Sequence, residues 1–557
     1  MQSRANAEPV VNFEITLLRK ANAQPLTKHI YLNQTGHVVS DGSACVMTSG
    51  VAGRFCFTRI GDFAELLGQL APDFALALGV LRDDLPNQVE IVTKRRLNGG
   101  MTPGVVARTR DFFMFRDSTP ALALVDFDAK RIPQHVADLI ARHGGFWGAL
   151  TAVLPELGAI ARVTRRSTSA GIYRPDTGEK FSGSGGEHAF VAVRDGADIE
   201  RFLTTLHDRC WLAGLGWYIV GAAGQLLERS IVDRVVGRPE RLVFEGTPII
   251  DPPLAQDQET RAPSAVEGGL LDTRLACPVL SPAERARLEK LRSDDAAHIR
   301  SEADAVRKTY VATRAAELAA RAGISPADAA KVIESQCRGI LLPHVALVFT
   351  DPDLAHTTVG DVLADPARFA DATLADPIEG PAYGATTAIV LRHPDGTPWI
   401  RSFAHGLTTY QLHYDYAAAV VAVQRAVAED AARVFVHCVL NSEFDPAETE
   451  RLRNLASVTH RIGKRALDAM LREARVQAIA ARDAAAQAQH LAADDREICE
   501  HPRNDAEWLP LIALVNGTLA RVSLPLRDGE GDAITMQRRM PSLQVLLNRS
   551  KRDQDDP

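Results

Sequence analysis

The chain has 557 residues, of which 46% are hydrophobic and 24% are charged. This length predicts about three or four domains, and the composition excludes a mostly disordered chain. The 63 basic and 70 acidic residues give a net charge of -7, which argues against a protein whose whole surface is basic but is compatible with a local basic groove.

The 7 cysteines are scattered, without the close pairs of a zinc site or the even framework of a disulfide-rich domain. Such usage is typical of a reducing cytoplasm. The N-terminus lacks the apolar core of a signal peptide, and no apolar run is long enough to predict a transmembrane helix. We therefore expect a cytoplasmic protein with no membrane partner.

The first half of the chain alternates strand-like and helix-like segments. In chain order, the pattern predicts strands over Phe13–Leu18 and His29–Leu32, a helix over Phe63–Leu81, a strand over Leu122–Phe127, a helix over Pro133–His143, a strand over His188–Val193 and a helix over Asp198–Arg209. The strand at 122–127 is almost continuously apolar, which favours burial on both of its faces. The interleaving predicts an α/β or α+β core.

After a Pro- and Gly-rich stretch over Asp251–Gly269, which we interpret as a linker, the composition becomes helical. A capping box begins at Ser281, and helices separated at Gly323 form either a DNA-reading helix-turn-helix or an ordinary αα-hairpin. A β segment follows, with a hairpin turn at Asp395-Gly396 and with His405 near a strand end, either as a ligand or as a structural residue. The predicted divisions are 1–255, a linker and helical domain at 256–345, a small α/β segment at 346–415, and a helical region with a charged tail at 416–557.

Asp126 and Asp128 end the apolar strand and flank Phe127. Residues two apart in a strand point to the same face, so the two carboxylates lie side by side. Ionised carboxylates at this separation repel each other unless a cation lies between them, and hard oxygen ligands suit Mg2+ or Mn2+. The alternative is an Asp pair that caps a loop.

Further along lie groups that bind anions. A Gly-rich turn carries Ser184 and leads to His188, and the residues Arg162, Arg165 and Arg166 precede a Ser-Thr-Ser run. A third acid, Asp233, follows an apolar pair, and Arg241 comes soon after it. Each group alone is also compatible with a solvated loop or a surface ion pair. Together they predict an acidic centre flanked by basic residues, which are Lys94, Arg95, Arg96, Arg162, Arg165 and Arg166.

The order of these motifs resembles the archaeo-eukaryotic primase superfamily, in particular the primase-polymerases of plasmids, phages and integrated elements. The matching residues are Val125-Asp126-Phe127-Asp128, Gly186-Glu187-His188 and Val232-Asp233, and the neighbouring runs Ser167–Gly171, Trp211–Trp217 and Pro239–Gly246 are also similar. The resemblance covers roughly residues 10–255. Gly186 stands where the family commonly has a hydroxyl residue.

The resemblance implies an RRM-like primase palm. Together with the pattern along the rest of the chain, the expected fold is α+β, with this palm, an N-terminal α/β module and a mainly helical C-terminal half with a small β segment. It implies that Asp126, Asp128 and Asp233 are catalytic and hold two divalent metals, Mg2+ or Mn2+. His188 is then expected to contact the phosphates of a nucleoside triphosphate. From their chemistry, we add Ser184, Arg166 and Arg241 as further triphosphate contacts.

The expected activity is template-directed primer synthesis on single-stranded DNA for replication of a mobile genetic element. The chain has no G-x-x-x-x-G-K-[ST] motif, so a helicase partner is expected to be a separate protein. Two alternatives stay open. One is a metal-dependent nuclease or phosphodiesterase, and the other is a replication-associated DNA-binding protein without catalytic activity.

Overall fold

The computed structural model describes residues 11–97, 102–381, 383–393, 396–404 and 409–492. Over these residues the fold is mixed α+β, with several small sheets and many helices. One compact unit ends at Met470 and a second begins at Leu471. Asp395, His405 and the charged tail lie outside the described residues, and the predicted domain boundaries stay predictions. None of the described helices combines the length and the apolar character needed to cross a bilayer.

The N-terminal part is built on a five-stranded sheet with the order β5-β1-β4-β7-β8. Its elements are β1 (Phe13–Lys20), β2 (His29–Leu32), β3 (Val38–Asp41), β4 (Gly50–Phe57), α1 (Ile60–Gln69), β5 (Phe74–Ala77), β6 (Val80–Leu81), β7 (Gln88–Val92), α2 (Lys94–Leu97), β8 (Val105–Ala107) and β9 (Phe113–Met114).

The helix predicted over Phe63–Leu81 is wrong in its second half. The helix α1 ends at Gln69, Leu70 is extended, and β5 then pairs antiparallel with β1. Pro72 explains the end, because a proline disfavours helical backbone in the residue before it and has no N–H to donate. The apolar residues after it look helical in sequence but are buried as strands.

The middle part is built on a four-stranded antiparallel sheet with the order β10-β13-β11-β18. Its elements are β10 (Ala121–Phe127), α3 (Gln134–Arg142), α4 (Phe146–Val153), β11 (Arg162–Arg166), β12 (Ile172–Tyr173), β13 (Glu187–Val193), α5 (Ile199–Leu212), β14 (Gly216–Val220), β15 (Leu226–Ser230), β16 (Ile249–Ile250), β17 (Ala255–Gln256), β18 (Ser264–Val266) and α6 (Thr273–Ala276).

A single hydrophobic core joins this sheet to the N-terminal part. It contains residues of β10, β13 and α5 together with Phe13, Ile15 and Phe63. The rings of Phe63 and Phe190 meet edge to face with centroids 5.1 Å apart. Both faces of β10 are therefore covered, as its continuous apolar sequence predicts.

The segment 251–269, interpreted from sequence as a linker, belongs to this sheet. It contains β17 and β18, and β18 pairs with β11 as the fourth strand. Leu271 then donates its backbone N–H to Ala192 and is buried in the same core. The polar composition of the segment 251–269 suits a position at the edge of the sheet, where it meets solvent.

The C-terminal part begins with two packed helices, continues with a five-stranded sheet of order β19-β23-β22-β21-β20, and ends in helices. Its elements are α7 (Pro282–Ala322), α8 (Pro326–Cys337), β19 (Ile340–Leu341), α9 (Val359–Ala364), α10 (Pro366–Phe369), β20 (Thr373–Leu374), β21 (Ala388–Arg392), β22 (Pro398–Ser402), β23 (Thr409–Leu412), α11 (Tyr416–Arg425), α12 (Ala431–Leu440), α13 (Pro446–His460) and α14 (Lys464–Ala492).

The helices on either side of Gly323 form an αα-hairpin. The capping box predicted at Ser281 is present, and α7 runs for 41 residues before it ends at Gly323. Gly323 has a φ of +66°, the left-handed conformation that a C-terminal cap requires. A helix this long differs from the short first helix of a DNA-reading helix-turn-helix.

Candidate active site

Three separate motifs meet at one end of the β10–β13 pair. The register places Asp126 directly opposite His188. Asp233 follows the buried residues Ile231 and Val232, and its backbone N–H donates to the carbonyl oxygen of Asp126 at 3.1 Å. Residues that are distant in sequence are therefore adjacent in the fold, and Asp128 lies just beyond the end of β10.

His188 lies between two carboxylates. Its Nε2 is 3.4 Å from Oδ1 of Asp126, and its Nδ1 makes a short hydrogen bond with Oε1 of Glu245. Burial opposes protonation, but the carboxylates of Asp126 and Glu245 raise the pKa of His188 to about 10. The imidazole is therefore a cation at neutral pH.

Glu245 fixes the His188 ring from below. It is 1% exposed, and its Oε2 accepts from Nη1 of Arg165 at 3.1 Å and from Nη2 of Arg261 at 3.3 Å. Burial opposes ionisation, yet His188 and the two guanidinium groups lower the pKa of Glu245. A fixed ring orientation follows, because Oε1 holds Nδ1 of His188 while the arginines hold Oε2.

The three predicted acids fit a divalent cation by their chemistry. Asp128 accepts the backbone N–H of Lys130 through Oδ1 at 3.1 Å, and Asp233 accepts that of Val235 through Oδ1 at 2.8 Å. In the described part of the chain, the second oxygen of each has no hydrogen-bond partner. Burial opposes ionisation of Asp126, but its pKa is lowered by His188 and, more weakly, by Arg241 and Lys28. Carboxylate oxygens of this kind are the hard donors that Mg2+ and Mn2+ prefer.

The carboxylates of Asp126, Asp128 and Asp233 do not form a closed group. Among the described residues, one group of metal-ligand side chains does form a close cluster. The ligand atoms of His207, Asp208 and Glu228 all lie within 4.8 Å of one another. Like charges repel, and Asp128 and Asp233 turn to neighbouring N–H groups instead. Ion binding by the three acids therefore requires rotation of their side chains.

The group at His207 is already neutralised by a guanidinium. Arg292 donates to Asp208 at 2.6 Å and makes a shorter contact with Glu228, so its charge lies where an ion would bind. His207 joins Glu228 through Nε2 at 2.9 Å and the carbonyl of Val232 through Nδ1 at 2.9 Å. This cluster holds the residue before Asp233 and so helps to position that acid.

Lys28 is a cation near the acids that the sequence did not single out. It precedes β2, and its carbonyl accepts from the N–H of Ile249 at 3.0 Å. Burial and the charge of Lys130 lower the pKa of Lys28, while Asp126 and Asp128 act in the opposite direction. The half-buried ammonium has no hydrogen bond or ion pair to any other described residue.

Ser184 belongs to a cluster of hydroxyl groups. Its Oγ is 2.7 Å from Oγ of Ser167 and 3.1 Å from Oγ of Ser169. Gly186 lies beside the cluster, and a Cβ there would be 2.9 Å from the carbonyl oxygen of Phe127. This close approach explains why residue 186 is glycine in this chain, and the serines supply hydroxyl donors beside it.

The predicted basic residues have different surroundings. Arg166 and Arg241 are exposed. Arg166 lies opposite Glu187 in the β11–β13 register, and Arg241 is among the charges that lower the pKa of Asp126. Arg165 is 6% exposed and bonded to Glu245, so it supports His188 from within and does not flank the acids at the surface. Lys94 and Arg95 form ion pairs with Asp371 and Asp351, at 3.3 and 3.1 Å. Arg162 lies over the Trp147 ring at 4.3 Å.

Sequence reasoning missed Glu245, Arg261 and Lys28. Glu245 stands in the run Pro239–Gly246, and no local pattern indicates that this acid lies beneath His188. Lys28 and Arg261 carry no sequence signal of their own. No family model matches the chain, and neither the curated proteins nor the solved structures give a match.

Proposed function

We propose that the chain is a template-directed nucleotidyltransferase, a primase-polymerase that makes primers on single-stranded DNA for a mobile genetic element. The observation that carries the proposal is the convergence of Asp126, His188 and Asp233. The first two are paired across β10 and β13, and the third is bonded to the backbone of the first. These residues come from the three motifs that resemble the primase superfamily, and they appear in the same order along the chain.

The strand order supports an RRM-like palm. In chain order, β10 is followed by α3 and α4, then by β11, β13 and α5, and β13 lies between β10 and β11. The segment that carries Asp233 lies along the other side of β10. A β-α-β-β-α arrangement is the expectation for such a palm. β10 is the edge strand of its four-stranded sheet, and the backbone bond from Asp233 to Asp126 brings the third acid to the same end of that sheet.

Each residue has a role that follows from its chemistry. Divalent metal ions held by Asp126, Asp128 and Asp233 supply charge neutralisation for phosphoryl transfer. The contact of His188 with Asp126 is 3.4 Å, long for a charge-assisted hydrogen bond, so Nε2–H is available to a phosphate oxygen. Lys28, Arg166, Arg241 and the Ser184 hydroxyl are suited to bind the rest of the triphosphate.

The test offers a single-stranded template, labelled nucleoside triphosphates and Mn2+ or Mg2+. We expect Asp126→Asn and Asp233→Asn each to reduce incorporation by more than about 100-fold, because a ligand to the metal loses its charge. The matched control is Asp138→Asn, an exposed acid on α3, which should leave incorporation unchanged. Incorporation that survives in the double variant Asp126→Asn, Asp233→Asn contradicts the proposal.

The same assay separates polymerisation from hydrolysis. A polymerase releases pyrophosphate only when a triphosphate is supplied, whereas a nuclease or phosphodiesterase shortens the DNA without one. Strand cleavage that needs no triphosphate, together with absent incorporation, assigns the acids to the nuclease alternative. DNA binding without either reaction assigns the chain to the non-catalytic alternative.

A further inference from the structure

The C-terminal sheet reaches the edge of the candidate active site through the turn after β20. Nε2 of Gln225, in the β14–β15 hairpin, donates to Oε1 of Glu379 at 2.8 Å. The hydroxyl of Tyr310 on α7 donates to the carbonyl of Ile378 at 3.4 Å. Burial raises the pKa of Tyr383 in this turn, and Asp233 and Arg241 lie close enough for their charges to influence it. The turn therefore forms a rim beside the acids.

A buried carboxylate makes this turn rigid. Asp376 is 1% exposed and accepts from Ser402 Oγ at 2.6 Å and from the Tyr410 hydroxyl at 3.0 Å. Its Oδ1 also accepts the backbone N–H groups of Ile378 and Glu379, both at 2.8 Å. The backbone of the turn is thus tied to β22 and β23, and its surface is pre-formed.

Two aromatic side chains are exposed at this end of the sheet. Tyr383 is 44% exposed and Phe403 is 46% exposed, and no other aromatic residue in the described part of the chain is as open to solvent. Phe403 donates its N–H to the carbonyl of Thr387 at 2.7 Å, and the Thr387 hydroxyl donates to the carbonyl of Gly384 at 3.0 Å. Exposed aromatic rings on a backbone held by hydrogen bonds are suited to stack on unpaired bases.

Three arginines that form no ion pair with another described residue lie beside these rings. The Arg401 guanidinium is 5.9 Å from the centroid of the Phe403 ring. Burial and the nearby charge of Arg401 lower the pKa of Arg238, while Glu240 and Glu200 act in the opposite direction. The N–H of Arg241 donates to the Arg238 carbonyl at 3.1 Å. Within the described residues, none of these three arginines forms an ion pair. Two close guanidinium groups repel, and an anion placed between them removes the repulsion.

We propose that Arg238, Arg241, Arg401, Tyr383 and Phe403 form a binding surface for single-stranded DNA. Phosphates contact the arginines and unpaired bases stack on the rings. Charge complementarity selects a polyanion, and exposed aromatic rings select unpaired bases over duplex. The choice of DNA as the bound nucleic acid rests on the proposed function. The binding surface extends that function, because it locates the path of the template beside the acids.

The test measures binding of the full chain to fluorescent oligo-dT by anisotropy over a series of salt concentrations, without metal or nucleotide. The double variant Tyr383→Ala, Phe403→Ala removes two stacking contacts and should weaken binding at least about 30-fold at constant salt slope. The double variant Arg238→Gln, Arg401→Gln should weaken binding and reduce the slope of log K against log salt by about 1.4, for two lost phosphate contacts. Thermal melts establish that each variant is folded.

Control pairs remove exposed apolar side chains or arginine charges elsewhere on the chain. Leu275→Ala with Val458→Ala removes side chains that are 81% and 78% exposed. Arg194→Gln with Arg433→Gln removes two charges, and Arg194 follows the end of β13 that is opposite to His188. Both control pairs should bind oligo-dT within about 2-fold of the wild type.

The inference is overturned if the wild type does not bind oligo-dT, if control and test pairs weaken binding equally, or if single-stranded DNA, duplex and polyglutamate bind with equal affinity. Tighter binding of oligo-U than of oligo-dT overturns the choice of DNA. Because binding is measured without catalysis, failure of the proposed binding surface can be distinguished from failure of the proposed enzymatic function. Binding that depends on these residues but without incorporation supports the surface alone. Incorporation with binding unaffected by the test pairs removes the surface alone.

Discussion

Replacing Glu245 with glutamine tests the buried charge network beneath His188. The substitution keeps the shape of the side chain but removes the negative charge that Arg165, Arg261 and His188 share. Arg165 and Arg261 are 6% and 2% exposed, so water cannot replace the lost carboxylate. Glutamine also cannot accept through both of its terminal atoms, which leaves one donor without a partner.

The expected cost follows from these contacts. Removing one partner of a buried ion pair costs about 3–5 kcal/mol. Both guanidinium groups keep a second acceptor, since Arg165 and Arg261 also donate to the backbone carbonyl of Glu245 at 2.9 and 3.0 Å. We therefore expect the lower end, about 3 kcal/mol, and a fall in Tm of roughly 6–12 °C.

The pH dependence gives a second readout of the same variant. The pKa of His188 is raised from 6.5 to about 10, so its stabilising contribution is complete below the unfolded value and is lost as the pH rises through 10. Without the Glu245 charge, the pKa of His188 falls toward its ordinary value. The stability of the variant should then decline at lower pH than that of the wild type.

Urea denaturation at several pH values, with NMR titration of His188, measures both effects. The control is Glu187→Gln on the same strand, because burial raises the pKa of Glu187 and neutralising it should cost less than about 0.5 kcal/mol. A Glu245→Gln variant as stable as this control, or one whose His188 titrates as in the wild type, refutes the buried network.

Three further predictions concern the metal ligands, acid stability and the triphosphate. Asp126→Asn should weaken Mn2+ binding more than about 100-fold in calorimetry, and equal affinity in the variant contradicts a shared site. Burial opposes ionisation of Glu228, but His207, Arg234 and Arg292 lower its pKa from 4.5 to about 2. The ionised carboxylate therefore stabilises the fold fully above pH 4.5, and this contribution is lost as the pH falls through 2. Glu228→Gln should accordingly cost about 3 kcal/mol at neutral pH, and urea titrations should show that this cost disappears near pH 2. Lys28→Met should raise the KM for nucleoside triphosphates roughly 10-fold in steady-state assays, whereas Lys331→Met, which alters a lysine that is 75% exposed, should not.

Local signals in the sequence account for the parts of the fold that were predicted well. The apolar run before Asp126 predicts a strand buried on both faces, and the structure has β10 there. The capping box at Ser281 predicts the start of α7 within a residue. Caps and periodicity act between residues that are neighbours in the chain, so they can be identified without the fold.

The errors arise where burial overrides the local pattern. Residues 74–77 have a helix-like apolar content, but β1 offers them backbone partners and they form a strand. Residues 264–266, within the segment expected to be a linker, pair with β11 at the edge of the sheet. Arg165 was expected at the surface, yet β11 turns its side chain inward to Glu245.

The sequence by itself determined which chemical groups this protein brings to a reaction: paired acids at a strand end, a histidine after a glycine-rich turn and a third acid after an apolar pair. Only the tertiary structure decided how they are used. The β10–β13 register sets Asp126 opposite His188, and Glu245, 57 residues from His188, fixes its ring and keeps it protonated. A pKa and a ring orientation depend on charges within a few ångströms in space, and separation along the chain does not specify which charges those are.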